Sequence, residues 1–311
     1  MSQNPRSVTS TGERASTIHQ RTNRIAGRFL VAIVAFFAFF PVFCCTPPAV
    51  AEDGIFVMKT DGSEERKVIS VEGIEHHTSP RWSHDGRRLV FETIDDDGTE
   101  KSYAINLDGT DLKELGEMGS PDWSPDDKQI VFHYSGDNMQ QGAWVQNVDG
   151  DGLNWLVAGA YPRWSPDGGR IAFCDDVALK VLDLVDEKEQ LLTEDPFAQR
   201  PGCFEWSRDG KRLAFFTRTV AGGPRDLFII DTDTASKGLK PRYSRQGGRV
   251  GGHVTWSADD KQLFFTIDSF IHVLPVEGTA EPVQVGGQPE KSRDPACSPD
   301  GKWLAFARRP D

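Results

Sequence analysis

Three histidines occupy places where imidazole chemistry could be used. His76 and His77 lie shortly before Trp82, and His253 lies three residues before Trp256. Imidazole binds metal ions and transfers protons near neutral pH. Five other copies of the same sequence phrase have different residues at the place of His253, namely Ser79, Ser120, Tyr161, Cys203 and Asp294. Because only one copy supplies a histidine there, we expect no metal or other cofactor. The three histidines are candidate ligand- or partner-binding residues near the channel mouth, and the alternative is that they are packing or surface histidines.

Charged residues in predicted loops form a second candidate site. The segment 242–253, RYSRQGGRVGGH, sets Arg242, Arg245 and Arg249 among glycines, and the segment 94–102 contains Asp95, Asp96 and Asp97. Guanidinium groups bind carboxylates and phosphates through paired hydrogen bonds. The sequence therefore predicts a basic lip beside an acidic lip that together contact a ligand or partner. The alternative is a pair of solvated, flexible loops.

Motifs of covalent and phosphate chemistry are absent from the sequence. There is no G-x-S-x-G element and no glycine-rich phosphate loop. The Asp-Gly pairs lack the twelve-residue ligand pattern of a calcium loop. Serines in the recurrent Ser-x-Asp-Gly phrases are expected to bond within turns. We predict no catalytic residues, and a disulfide between Cys174 and Cys203 stays open.

A phrase such as YPRWSPDGGRIAF (161–173) occurs six times and indicates a repeat architecture. Its tryptophans are Trp82, Trp123, Trp164, Trp206 and Trp256, with Cys297 at the sixth place. Successive spacings are 41, 41, 42, 50 and 41 residues. Each phrase reads as a strand, a tight turn and a second strand, and two further strand patterns follow it. A unit of four strands at this period is typical of a propeller blade.

The two ends of the repeat region predict how the ring closes. Residues 293–308 supply only the first two strands of a sixth unit, and residues 54–59 and 66–70 supply two more. We therefore predict an all-β, six-bladed propeller over residues 52–311. Its blades are four-stranded and antiparallel, and N- and C-terminal strands together complete the last blade. Such closure leaves no free sheet edge.

The phrase WSPDG (164–168), together with IFVMKTDG (55–62), resembles the WD40-like repeat of the TolB-type six-bladed propeller family. The resemblance covers about residues 53–309. It implies a cell-envelope propeller that binds proteins, and some similar propellers are lyases that hold a metal at the channel mouth. The α/β domain that precedes the TolB propeller has no counterpart in residues 1–51, so the partner contacts of TolB are not carried over to this chain.

Residues 1–51 differ in kind from the remainder. An arginine-rich stretch precedes the uncharged run FLVAIVAFFAFFPVFCC (29–45) and a small-x-small pattern at residues 49–51. This order is typical of a cleaved signal peptide, with a retained N-terminal anchor as the alternative. Five arginines and one glutamate give this segment a net +4, which leaves −16 for the remainder. So acidic a body repels nucleic acid.

The hairpin order predicts that one end of the ring consists of short, nearly identical turns. The other end consists of loops that differ from blade to blade, and variable loops on a rigid scaffold are the usual place for binding. We therefore predict an exported, periplasmic or extracellular, monomeric and non-catalytic module that binds a protein or peptide. A lyase- or hydrolase-type enzyme and a carbohydrate or small-ligand sensor are the alternatives.

Overall fold

A computed structural model describes residues 53–308, with gaps at 75, 96–97, 176–177, 194–200, 219–220, 235, 237, 246–248, 287 and 289–290. These residues form strands joined by turns and loops, which confirms the all-β class. Within these ranges no helix is long and apolar enough to cross a membrane.

The strands group into six antiparallel sheets, here called blades 1 to 6. Blade 1 contains β3 (His77–Trp82), β4 (Arg88–Ile94), β5 (Glu100–Asn106) and β6 (Lys113–Gly116). Blade 2 contains β7 (Gly119–Trp123), β8 (Gln129–Tyr134), β9 (Gly142–Asn147) and β10 (Asn154–Val157). Blade 3 contains β11 (Ala160–Trp164), β12 (Arg170–Cys174), β13 (Leu179–Asp183) and β14 (Glu189–Leu191).

The remaining blades complete the ring. Blade 4 contains β15 (Gly202–Trp206), β16 (Arg212–Thr217) and β17 (Asp226–Asp231). Blade 5 contains β18 (Val250–Trp256), β19 (Gln262–Ile267), β20 (Phe270–Pro275) and β21 (Val283–Gln284). Blade 6 contains β22 (Arg293–Cys297) and β23 (Trp303–Arg308), followed by β1 (Gly54–Lys59) and β2 (Arg66–Ile69).

Blade 6 confirms the predicted closure. Strand β1 pairs antiparallel with β23, with Ile55 opposite Ala307 and Lys59 opposite Trp303. The first strands of successive blades contact one another, and β22 contacts β3. These six first strands therefore line the central channel. The ring is closed because blade 6 contacts blade 1 through β22 and β3.

Blade 4 departs from the four-stranded pattern. Its described residues form three strands, and the chain then returns to β17, where Leu227 donates its N–H to the Tyr243 carbonyl at 2.9 Å. The Arg242 N–H donates to the Leu227 carbonyl at 2.7 Å. An isolated bridge thus takes the place of an outer strand in the unit whose spacing is 50 residues.

Tryptophan and arginine side chains join neighbouring blades. The guanidinium of Arg88 lies 4.4 Å from the ring centroid of Trp123 on the next blade, and Arg212 lies 4.7 Å from that of Trp256. The indole of Trp206 donates to the Arg163 carbonyl at 3.2 Å. Stacked guanidinium groups and buried aromatic rings each stabilise such contacts. The tryptophans of the repeat therefore pack between neighbouring blades.

The Ser-x-Asp-Gly turns are internally satisfied. In blade 1, the Ser83 hydroxyl donates to Asp85 Oδ1 at 2.6 Å and accepts the Arg88 N–H at 2.9 Å. Where glycine is replaced, Asp127 has a φ of 58°. Its carboxylate accepts the backbone N–H groups of His84 and Asp85 on the preceding blade, at 2.7 and 2.8 Å. These turns form one end of the ring, which we call the turn face.

Candidate binding site

The opposite end of the ring, formed by the second turns and the links between blades, is called the variable face. A half-enclosed cavity of about 660 Å³ lies there. Five arginines line it: Arg218, Arg225, Arg245, Arg249 and Arg293. Blade 4 supplies two of them, the link between blades 4 and 5 supplies two, and the start of β22 supplies the last. We call this cavity the arginine pocket.

Glycines in β18 let the guanidinium of Arg225 approach the channel-lining backbone. Gly251 has a φ of 124°, and a Cβ built there would lie 2.9 Å from Arg225 Nη1 and 3.3 Å from its Cζ. Gly252 has a φ of 92° and faces Asp294 Oδ1 in the same way, at 3.1 Å. Side chains at these two positions would fill the pocket and would require a disfavoured backbone conformation.

A tight turn in blade 5 holds the arginine-bearing link in place. Asp268 and Ser269 have φ values of 50° and 68° between β19 and β20. The Asp268 carboxylate accepts Arg245 Nη1 at 2.8 Å and the Arg249 backbone N–H at 2.8 Å. The hydrogen bond from Arg249, followed by that from Arg245, holds the pKa of Asp268 below its usual value. The Arg249 side chain itself is exposed.

Two polar atoms of the pocket lining are buried without a hydrogen-bond partner. They are the hydroxyl oxygen of Thr266, at the end of β19, and Nε of Arg225. The Thr266 residue as a whole is 7% exposed. A buried polar atom without a partner costs free energy.

A polar cluster blocks the channel beneath the pocket. His253 is buried, and its Nε2 lies 3.0 Å from the Ser79 hydroxyl and 3.2 Å from the Cys203 sulfur. Nδ1 of His253 accepts Arg81 Nη2 at 3.0 Å. Arg81 also forms an ion pair with Glu205, on the opposite side of the ring. We call these residues the channel plug.

The electrostatics of the plug disfavour proton transfer. Burial lowers the pKa of His253 to about 3, against an opposing effect of the Asp294 carboxylate. Burial also raises the pKa of the Cys203 thiol to about 11. Imidazole and thiol are therefore both neutral at physiological pH. A neutral thiol next to an imidazole that accepts from an arginine lacks the thiolate that nucleophilic catalysis requires.

Four of the five repeat tryptophans directly follow a charged residue that was not among the predicted site residues. These charged residues are Arg81, Asp122, Arg163 and Glu205. Arg163 is 1% exposed and donates to the Ser120 carbonyl at 2.9 Å. Alternation along a strand could have revealed these residues. Successive side chains of a strand point in opposite directions, so the residue before a tryptophan that packs between blades is expected on the other side of the strand.

The structure separates the predicted site residues. Arg245 and Arg249 line the pocket, and His253 lies below it in the plug. Arg242 instead donates to the carbonyls of Val276 (2.7 Å) and Pro275 on blade 5. Because these bonds occupy its guanidinium, Arg242 is not part of the pocket lining.

The remaining predicted residues lie around blade 1. His77 is buried, with Nε2 accepting the Val71 N–H at 2.9 Å and Nδ1 2.5 Å from Asp53 Oδ2. His76 is exposed, and Asp95 lies 3.8 Å from Lys101 Nζ. The other two acidic residues, 96 and 97, lie outside the described residues.

No three histidine, cysteine, aspartate or glutamate side chains come together as a metal site in the described ranges. The cysteines at 174, 203 and 297 are free thiols. Cys174 and Cys203 are therefore not joined by a disulfide in this structure.

Comparison with known proteins supports the fold. No family model matches the chain, and no curated protein matches it. A solved structure of putative TolB from Agrobacterium tumefaciens has a TM-score of 0.67 at 16% identity, over 83% of this chain and 98% of that chain. TolB from Acinetobacter baumannii has a TM-score of 0.57 at 15% identity, over 84% of this chain. This chain spans 65% of that protein. Hydrazine synthase from Kuenenia stuttgartiensis has a TM-score of 0.53 at 14% identity, over 76% of each chain.

Proposed function

We propose that residues 52–311 form a non-catalytic binding module that acts in the periplasm or cell envelope and offers its variable face to a protein or peptide partner. This six-bladed propeller is similar to that of TolB, and identities of 15–16% make the similarity one of fold alone. Fold does not specify function. The proposal therefore depends on the site. In it, residues 1–51 serve as the export signal, with a retained anchor as the alternative.

The arginine pocket carries the proposal. Five guanidinium groups are gathered at one end of a chain whose formal net charge is −12. On the turn face, by contrast, the serine and aspartate side chains of the described Ser-x-Asp turns bond within their own turns. A cationic concave surface on an acidic scaffold steers an anionic partner to one place.

The channel plug supports a binding role rather than catalysis. His253 accepts a hydrogen bond from Arg81, and the thiol of Cys203 has a raised pKa. Neither group is prepared to accept a proton from a substrate at neutral pH. A cavity of about 660 Å³ also falls within the range of small-molecule sites, which favours a small-ligand sensor as the second candidate.

Site-specific photo-crosslinking tests the proposal. A benzoyl-phenylalanine residue replaces Ser244, which is exposed on the variable face, and in a matched protein it replaces Arg87, which is exposed on the turn face. Both proteins are irradiated with envelope extract from the source organism. We expect a protein adduct through position 244 and none of the same mass through position 87. Equal adducts at both positions, or none at either, would contradict a protein-binding variable face.

A further inference from the structure

We propose that the arginine pocket is the receptor for an acidic peptide segment, whose carboxylates are bound by the guanidinium of Arg225 and by the arginines of the rim. This inference rests on the proposed function and names the chemistry of its partner. Four features of the pocket favour such a partner: the charge of its lining, its preformed contacts, its size and a described lining without aromatic side chains.

The charge of the lining is strongly one-sided. Its fourteen residues include five arginines and a single carboxylate, that of Asp294. Asp294 Oδ2 also accepts the Thr78 hydroxyl at 2.7 Å, so this carboxylate is anchored to blade 1. Arginine forks match carboxylate oxygens in pairs. In a half-enclosed cavity, attraction between opposite charges is several times stronger than in bulk water.

The pocket is built before a ligand arrives. Arg225 lies against the bare Cα of Gly251, and Arg218 Nη1 donates to the Gly223 carbonyl within its own loop. Asp268 holds the link that carries Arg245 and Arg249. Groups that are already positioned lose little conformational entropy on binding, which favours affinity.

The size of the pocket limits what can fill it. The Thr266 hydroxyl and Nε of Arg225 are too buried in its lining for a ligand to reach them, so a ligand is bound through the other donors of the pocket. A single inorganic anion would leave most of a 660 Å³ cavity to water, whereas several linked carboxylates would occupy it.

The composition of the lining favours a peptide over a sugar or a nucleotide. None of the fourteen described lining residues is Phe, Tyr or Trp. Sites for nucleobases rely on stacking against such rings, and sugar rings are commonly packed against them as well. The lining instead includes glycines at 222, 223, 251 and 252, which have no side chain and let an extended peptide chain approach the pocket wall closely.

Fluorescence anisotropy of residues 52–311 tests the inference. The probe is a short labelled peptide that alternates glutamate and serine, compared with the same peptide carrying glutamine. Inorganic phosphate and an oligosaccharide of uronic acids serve as competitors. We expect the glutamate peptide to bind, the glutamine peptide to fail, and added salt to weaken binding. We also expect that neither competitor displaces the peptide at equal charge concentration.

Variants locate the binding. Arg225→Ala should weaken the peptide about 10- to 100-fold because it removes charge-assisted hydrogen bonds, and Arg225→Lys should recover only part of this because it lacks the fork. Arg249→Glu changes an exposed side chain, so it tests the charge of the rim in a protein that stays folded. Arg87→Ala removes one positive charge from the turn face and should leave the affinity unchanged.

Three results would overturn the inference: equal binding of both peptides, no effect of Arg225→Ala or Arg249→Glu, or a sugar or phosphate that binds where the peptide does not. These outcomes are independent of the crosslinking result. A partner crosslinked through Ser244 with no peptide affinity would leave the proposed function standing and remove the acidic ligand. Peptide affinity without a crosslinked partner would do the reverse.

Discussion

Ionisation of Glu92 should make this protein less stable as the pH rises from about 4.5 to 7. Glu92 lies in β4 and is 7% exposed, and its Oε1 accepts the Ser120 N–H of blade 2. Burial, together with the negative charge of Glu100, raises the pKa of Glu92 from 4.5 to about 7. The folded state therefore holds a proton that the unfolded chain releases within this range.

The size of the effect follows from the two pKa values. Below pH 4.5 the carboxyl is protonated in both states and has no pH-dependent effect. Between 4.5 and about 7 only the unfolded chain loses the Glu92 proton, so the contribution of Glu92 to the free energy of unfolding falls with rising pH. Each pKa unit corresponds to about 1.4 kcal/mol, so the total loss is about 3 kcal/mol. Above pH 7 both states are ionised and the loss is constant.

The substitution Glu92→Gln removes this charge and keeps an oxygen for the Ser120 N–H. We expect the variant to match the wild type at about pH 4 and to exceed its stability by about 3 kcal/mol at about pH 8. Denaturant titrations at a series of pH values measure the difference. His253, with its pKa lowered to about 3, makes stability rise with pH up to about 6.5 in both proteins. Subtraction of the two curves therefore isolates Glu92.

Glu277→Gln provides the control, because the Glu277 side chain is 93% exposed. It should change stability little at any pH. A difference between wild type and Glu92→Gln that is the same at every pH would refute the reasoning, because it would show that Glu92 titrates alike in both states. A variant that is less stable at about pH 8 would refute it as well.

Two further predictions concern the turns and the thiols. Asp127→Ala should lower the free energy of unfolding by about 2 kcal/mol or more, because it removes two hydrogen bonds to a charged acceptor. Asp127→Gly should cost about 1 kcal/mol less, because glycine adopts the φ of 58° freely; equal losses in denaturant titrations would contradict this account. The thiols of Cys174, Cys203 and Cys297 should react slowly with a thiol reagent in native protein and rapidly once denatured. A fast native reaction would contradict the raised pKa of Cys203.

The sequence was sufficient to predict the ring, because the repeat states the same local chemistry six times. Each copy combines a strand, a turn whose serine and aspartate bond one another, and a tryptophan at a fixed place. The two strands at the start of the repeat region and the two at its end are each half a blade. Pairing them with each other is the arrangement that leaves no half-blade without a partner. The three-stranded arrangement of the described residues of blade 4 was not predictable in this way. It depends on how Tyr243 returns to pair with Leu227.

The site could be predicted only in part, because it is assembled from distant segments. The glycine-rich link indicated Arg245 and Arg249, which lie close together in the chain. Arg218 and Arg293 join them only because the ring places blades 4, 5 and 6 side by side. The position of Arg242 also depends on a backbone pairing that the sequence does not reveal. Its backbone bonds to Leu227, and its side chain is thereby directed to the carbonyls of blade 5.

The channel plug determines how a ligand must use the arginine pocket. Arg81 and Glu205 join opposite sides of the ring, and His253 fills the space between Ser79 and Cys203. The smaller cavity of about 220 Å³ on the turn-face side, lined by Arg81 and Glu205 among others, shares no lining residue with the pocket. We therefore expect a ligand of the arginine pocket to reach it from the variable face. If the plug opened, the buried guanidinium of Arg81 would lose Glu205 and His253 as partners. An unpaired buried charge is strongly destabilising, so the plug also stabilises the fold. Substitutions that weaken the plug should thus destabilise the fold before they create a passage.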